Sequence, residues 1–182
     1  MAGDTEELKT MSQEDKNKNI ILVGMMATGK STVGAILAEE LGYELVDLDH
    51  VIIETEGRSI AEIFAEDGEE YFRSIETAVL KQMLESENKL ISTGGGAVLA
   101  PGNTALMLSK GHVVALTATE EEIIARVSGD ENRPLLAGNA EERVRRIMED
   151  RQDAYLFAHY TVDTTGLTAA EVSHHILMHY RG

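Results

Sequence analysis

An α/β fold on a five-stranded parallel sheet is predicted by three observations. The chain carries five short apolar or β-branched runs, amphipathic stretches between them, and helix-start signals ahead of several of those stretches. The first run, Ile20-Ile21-Leu22-Val23, is apolar throughout, as expected of a parallel strand buried on both faces. Lys30–Leu41 then places Val33, Ile36, Leu37 and Leu41 at helical spacing, and Gly42 supplies the stop. Glu44 to Asp47, Lys89 to Ser92, His112 to Leu116 and Tyr160 to Asp163 read as the remaining strands. Ser59-x-x-Glu62, Thr119-x-x-Glu122, Asn139-x-x-Glu142 and Thr168-x-x-Glu171 have the form of capping boxes, in which the first side chain accepts from an unpaired N–H. Pro101 suits the first turn of another helix.

Composition narrows the class. The 182 residues suit one domain, and 43% hydrophobic content is enough to fill a core. Residues 1–18 carry charge without apolar period and are expected to be a disordered tail ahead of a single domain over 19–182. That tail lacks the features of a secretory signal, and no apolar run is long enough to span a membrane, so a cytoplasmic location is expected. With no cysteine, neither disulfides nor thiolate metal sites are available. Thirty-two acidic against 16 basic residues leave a net charge of −16. That field repels nucleic acid and anionic lipid, so neither is expected as a partner. An anionic ligand must therefore be drawn in by backbone N–H groups and a few individual cations.

Gly24-Met25-Met26-Ala27-Thr28-Gly29-Lys30-Ser31 matches G-x-x-x-x-G-K-[ST], follows an apolar strand and opens an amphipathic helix. Successive N–H groups over Ala27 to Thr32 and the helix N-terminus face phosphates in such a loop. Lys30 brings a point charge to the β and γ phosphates, and the Ser31 hydroxyl is placed to ligate Mg²⁺. Average residue frequencies give a chance match of about 1% or less over such a length. No Asn-Lys-x-Asp stretch of the kind that reads guanine is present. Asp47-Leu48-Asp49 ends the second strand, and two carboxylates at i, i+2 on an extended strand point to one side. At a strand's C-terminal end they lie near the ligand crevice of an α/β sheet. A solvated strand end is the competing reading.

Several motifs stand together and in one order: Asp47-x-Asp49, Gly57-Arg58-Ser59-Ile60 running on to Ile63-Phe64, Phe72-Arg73-x-x-Glu76, Thr93-Gly94-Gly95-Gly96, Arg133-Pro134-Leu135-Leu136 and Arg151-x-x-x-Tyr155. In this set the chain resembles the shikimate kinase family over roughly 19–182. The resemblance implies a three-layer α/β/α P-loop kinase fold, ATP as co-substrate with Mg²⁺, and shikimate as acceptor. It implies that Asp49, Arg73, Gly94, Gly95, Gly96 and Arg151 meet shikimate, with a substrate-binding segment over about 49–80. Arg133 would reach the ATP phosphates from a lid over 128–138, Arg126 would lie along adenine, and Asp47 would hold Mg²⁺ through water. The expected reaction is in-line attack of the 3-hydroxyl on the γ-phosphate, with Lys30, Asp49 and Arg133 as its catalytic residues.

The chemistry of the ligand fits those residues. A carboxylate is best held by planar guanidinium forks, and a carboxylate such as Asp49 accepts from hydroxyls. Each has a plainer reading: Arg73 with Glu76 as a helical surface pair, Arg151 with Asp150 or Asp153 as a solvated pair, and Gly94 to Gly96 as a flexible turn. Two departures from the family stand out. Position 27 is Ala where many members have Gly, so an ordinary φ is expected there. Thr164-Thr165-Gly166-Leu167 offers only small groups and backbone to adenine. A kinase of another polyhydroxy acid, such as gluconate, and a catalytically silent nucleotide-binding module are the alternatives. A monomer is expected.

Overall fold

The computed structural model of the protein describes residues 19–128 and 140–181. In chain order these form β1 (Asn19–Gly24), α1 (Lys30–Leu41), β2 (Glu44–Asp47), α2 (Leu48–Glu56), α3 (Ile60–Met83) and β3 (Lys89–Ser92). A 3₁₀ turn (Ala97–Leu99) leads to α4 (Asn103–Lys110), β4 (Gly111–Thr117), α5 (Glu120–Ser128), α6 (Ala140–Asp150), β5 (Tyr160–Asp163) and α7 (Ala169–Arg181). The five strands are all parallel, in the order β2-β3-β1-β4-β5.

The apolar run of β1 divides by strand alternation between the two faces of the sheet. Ile20 and Leu22 pack with Val33 and Leu37 of α1 and with Val172 and Ile176 of α7. Ile21 and Val23 face the other way, into a cluster with Leu48 and Ile52 of α2, Leu80 of α3, Met107 of α4 and Ile123 of α5. Helices therefore cover both faces, and the expected three layers form because neither face of the central strands carries polar side chains able to meet water. β1 lies between β3 and β4, with Leu22 opposite both Ser92 and Val114. The chain builds one side of the sheet through β2 and β3, then crosses to the other side of β1. A ligand crevice is expected beyond the carboxyl ends of strands at such a switch, and both glycine-rich loops emerge there.

The helix starts follow the local chemistry. Ser59 Oγ accepts from Glu62 N at 3.1 Å, Thr119 Oγ1 from Glu122 N at 3.3 Å, and Thr168 Oγ1 from Glu171 N at 3.1 Å, while Glu171 Oε1 accepts in return from Thr168 N. Two local readings need correction. Pro101 is not in a helical first turn: Gly102 is the N-cap and α4 begins at Asn103, so the proline sits in the preceding turn. Asp47 and Asp49 do not share an extended strand, because α2 starts at Leu48. Asp47 is its N-cap, accepting from the N–H groups of Asp49 and His50, and Asp49 lies in its first turn. The carboxylate cap is strong enough to turn the chain at once. The tail over 1–18, the box at Asn139 and nearly all of the 128–138 segment, Arg133 included, lie outside the described residues.

α3 is two helical pieces joined at Gly68, which adopts φ 84°, ψ 175°. That combination is open essentially to glycine alone. It redirects the chain so that Arg73, in the second piece, meets the loop after β3.

Candidate active site

The first loop leaves β1 and wraps back onto the head of α1. Lys30 is 9% exposed, and its Nζ donates to Gly24 O at 2.6 Å and Met25 O at 2.7 Å. These are carbonyls of its own loop, so the ammonium is held over the cradle. Thr28 is buried, and its hydroxyl donates to Met25 O at 2.7 Å, leaving its backbone as the part it can offer a ligand. Ala27 has φ 62°, which corrects the expectation of an ordinary φ. The turn from Gly24 to the N-cap at Gly29 needs a left-handed residue at this point, and loop closure overrides the side-chain preference. The cost of a Cβ there is about 1–2 kcal/mol.

Arg126 fastens this loop from the far side of the sheet. Its Nη1 donates to Ala27 O at 2.9 Å and to Thr164 Oγ1 at 3.2 Å, while Nε meets Glu122 Oε1 at 3.1 Å. Thr164 in turn is anchored to the end of β4, with Oγ1 donating to Thr117 O at 2.9 Å. One guanidinium thus ties the phosphate loop to the segment after β5.

The second loop, Thr93 to Gly96, is pinned to β1 by Thr93, whose N and Oγ1 both donate to Leu22 O. Its three glycines each admit a different side chain. A Cβ on Gly94 would lie 3.0 Å from Asp49 Oδ1, one on Gly95 3.1 Å from Arg151 Nη1, and one on Gly96 would press closest on Arg73 Nη2, with Nη1 at 2.7 Å. Carbon–heavy-atom contacts are comfortable only at about 3.5–4.0 Å, so bare backbone is what lets these groups converge. They arrive from α2, α3 and the end of α6. Two supports hold them. Arg73 Nη1 donates to Glu76 Oε1 at 2.9 Å, and Glu76 is 1% exposed. The Tyr155 hydroxyl donates to Gly95 O at 2.6 Å. The surface-pair reading of Arg73 and Glu76 is wrong in one respect: the pair exists, but it is buried against the loop. Arg151, whose plainer reading was a solvated pair with its acidic neighbours, reaches Gly95.

The electrostatics follow from this convergence. Burial pushes the Asp49 carboxyl above its ordinary value, and nearby Asp47 adds to the rise, while Lys30 and Arg73 oppose it. Glu76 is likewise raised by burial, against the pull of Arg73. Burial raises the Tyr155 hydroxyl, with Arg151 opposing.

Both loops open onto one cleft of about 970 Å³. Ala27, Gly29, Lys30, Ser31, Thr32 and Arg126 line its nucleotide-loop side. Asp47, Asp49, Gly94 and Gly95 line the other. Arg73, Gly96 and Arg151 flank that second side through the contacts just described. Two cleft arginines escaped the sequence reading. Arg143 and Arg146 of α6 both line the cleft. Their i, i+3 spacing was the available signal, since positions three apart share one helix face.

An anion cradle and a carboxylate-and-guanidinium pocket facing one gap suit phosphoryl transfer to a hydroxylated acid. The comparisons agree. The family model for shikimate kinase matches residues 26–181. A shikimate kinase from Geobacter metallireducens is 44% identical over 90% of this chain and 92% of its own length. Among solved structures, shikimate kinase from Acinetobacter baumannii, in complex with shikimate, is 38% identical with a TM-score of 0.84, covering 92% of this chain and 95% of that one. Shikimate kinase from Aquifex aeolicus is 35% identical with a TM-score of 0.77, over 90% and 96%. Sequence, fold and site converge, and the chain belongs to the shikimate kinase family.

Proposed function

We propose that this cleft transfers the γ-phosphate of ATP to the 3-hydroxyl of shikimate, with the two glycine-rich loops dividing the substrates between them. The observation that carries the assignment is the triple fit of Asp49, Arg151 and Arg73 against Gly94, Gly95 and Gly96, next to the phosphate loop. Arg73 and Arg151 supply two planar forks for the acid's carboxylate. Asp49 accepts from the ring hydroxyls, orients the nucleophile and takes its proton. The N–H groups over Ala27 to Thr32 and the Lys30 ammonium receive the phosphates. Arg133 would add charge from the lid, and Arg126 would border the adenine.

Mg²⁺ suits the residues present. Ser31 and Asp47 both line the cleft with hard oxygen donors, and Asp47 Oδ1 caps α2 while its second oxygen is uncommitted to that cap. Mg²⁺ typically takes one or two protein oxygens beside water and substrate phosphates. Bound there, it would neutralise phosphate charge. The chain itself aligns the hydroxyl and keeps Lys30 aimed at the phosphates.

A monomer in the cytoplasm, with the lid over 128–138, completes the reading. Among the described residues no helix is long and apolar enough to cross a membrane. The deciding experiment is ADP release with ATP and Mg²⁺ against shikimate, gluconate and no acceptor. Release that depends on shikimate, lost in Arg73→Ala with ATP binding intact, supports the proposal. Nucleotide binding without acceptor-dependent release, or a preference for gluconate, refutes it.

A further inference from the structure

The break at Gly68 raises a mechanical question. Asp49 sits on α2, and Arg73 sits in the second piece of α3, beyond the break. A continuous helix would fix the angle between its two halves through its own hydrogen bonds. Across a residue at φ 84°, ψ 175° that ladder is interrupted, so side chains must set the angle.

Two links span the break among the described residues. On one side, the ring of half-exposed Phe64 lies 4.8 Å from that of buried Phe72. Outside, Arg58 gathers groups from three places. Its Nη1 meets Glu66 Oε2 at 2.6 Å, and its Nη2 pairs with Asp67, both in the piece before the break. Its Nη2 also lies 3.8 Å from Glu56 Oε2, at the end of α2. Its Cζ stands 5.6 Å from the centroid of the Tyr71 ring, beyond the break. The Tyr71 hydroxyl closes the circuit by donating to Glu56 Oε1 at 2.9 Å. Only a planar fork can bridge two carboxylates and stack on a ring at once. The Arg58 side chain is 18% exposed, so part of its charge is withdrawn from solvent.

We infer that Arg58 is a positioning residue for the acceptor substrate: it locks α2 and both pieces of α3 so that Asp49 and Arg73 stand at the separation shikimate requires. This deepens the proposed function and rests on it. Arg58 neither lines the cleft nor touches the glycine loop; it acts through Tyr71, two residues before Arg73, and through Glu56, at the far end of the helix that bears Asp49.

The test compares Arg58→Gln, Arg58→Lys and the double variant Glu66→Gln/Asp67→Asn, the last leaving Arg58 in place. Each is measured for the KM of shikimate, the KM of ATP, kcat and melting temperature. Arg58→Gln is expected to raise the shikimate KM about fivefold or more while the ATP KM stays within about twofold, since small misplacements of a binding group are costly. Lys should recover only part of the loss, because an ammonium has no fork. The double carboxylate variant should reproduce the selective rise, and it decides the matter if Arg58→Gln does not fold. A shikimate KM within about twofold of wild type in the folded variants, or an equal rise in both KM values, overturns the inference. Arg73→Ala separates the two layers. If it loses the shikimate response while the Arg58 variants keep theirs, only the positioning role fails. If it keeps a wild-type response, the functional reading fails and this role with it.

Discussion

Replacing Gly96 by Ala should weaken the acceptor site without disturbing the backbone. Gly96 has φ −96°, ψ 2°, which alanine adopts readily. The added methyl, however, would stand 2.7 Å from both Cζ and Nη1 of Arg73. Arg73 Nη2 would be closer still, so restoring an ordinary contact of about 3.5–4.0 Å moves the guanidinium by more than about 1 Å. Arg73 cannot yield freely, because Nη1 is tied to the buried Glu76 at 2.9 Å. A charge-assisted hydrogen bond is worth about 1.5–3 kcal/mol, so losing its alignment costs about 10–100-fold in affinity. Coupled ADP release at varied shikimate should therefore show a KM raised by that factor, with the KM of ATP nearly unchanged. The melting temperature should fall by only a few degrees. A shikimate KM equal to wild type would refute the claim that Gly96 exists to admit Arg73.

Four further outcomes follow from the same geometry. Ala27→Gly removes a Cβ from a left-handed position and should stabilise the protein by up to about 1 kcal/mol, read as a rise in melting temperature, because strain relief outweighs the added unfolded-chain entropy. Glu76→Gln keeps a hydrogen-bond acceptor but removes the charge facing Arg73; because burial raises the Glu76 carboxyl as it does Asp49, the melting temperature near neutral pH should not fall, while the lost charge-assisted hydrogen bond should raise the shikimate KM. Asp49→Asn should lower kcat by about 10²–10⁴-fold while raising the melting temperature near neutral pH. The sign follows from its raised pKa: burial penalises the carboxylate, so the native state binds protons more readily than the unfolded state. Stability carried by this group therefore falls as pH rises from the unfolded to the folded pKa, and the Asn variant escapes that loss. For the same reason wild-type turnover should decline on the acid side at a higher pH than an ordinary carboxylate would give.

The local features were legible because each depends on a few adjacent residues. All five strands, the head and stop of α1 and three described capping boxes lie where periodicity and cap chemistry put them. The phosphate loop also announced itself, since its spacing is set by one turn of backbone around phosphates. Readings failed where a neighbour's geometry outranked the residue itself. Ala27 is left-handed because the loop must close. Asp47 is a helix cap because α2 begins without a linker.

By itself, the amino-acid order determined that this chain makes a parallel α/β sheet, carries a glycine-rich phosphate-loop motif after its first strand, and has several arginines spaced far apart beyond it. It could not determine which arginine meets which glycine. Arg73, Arg151 and Asp49 approach consecutive residues of one loop from three separate elements. Periodicity describes a residue relative to its own helix or strand, whereas such meetings depend on how the layers stack and where Gly68 turns α3. Only the packed fold decides them, because the contacts that select those angles join residues far apart along the chain.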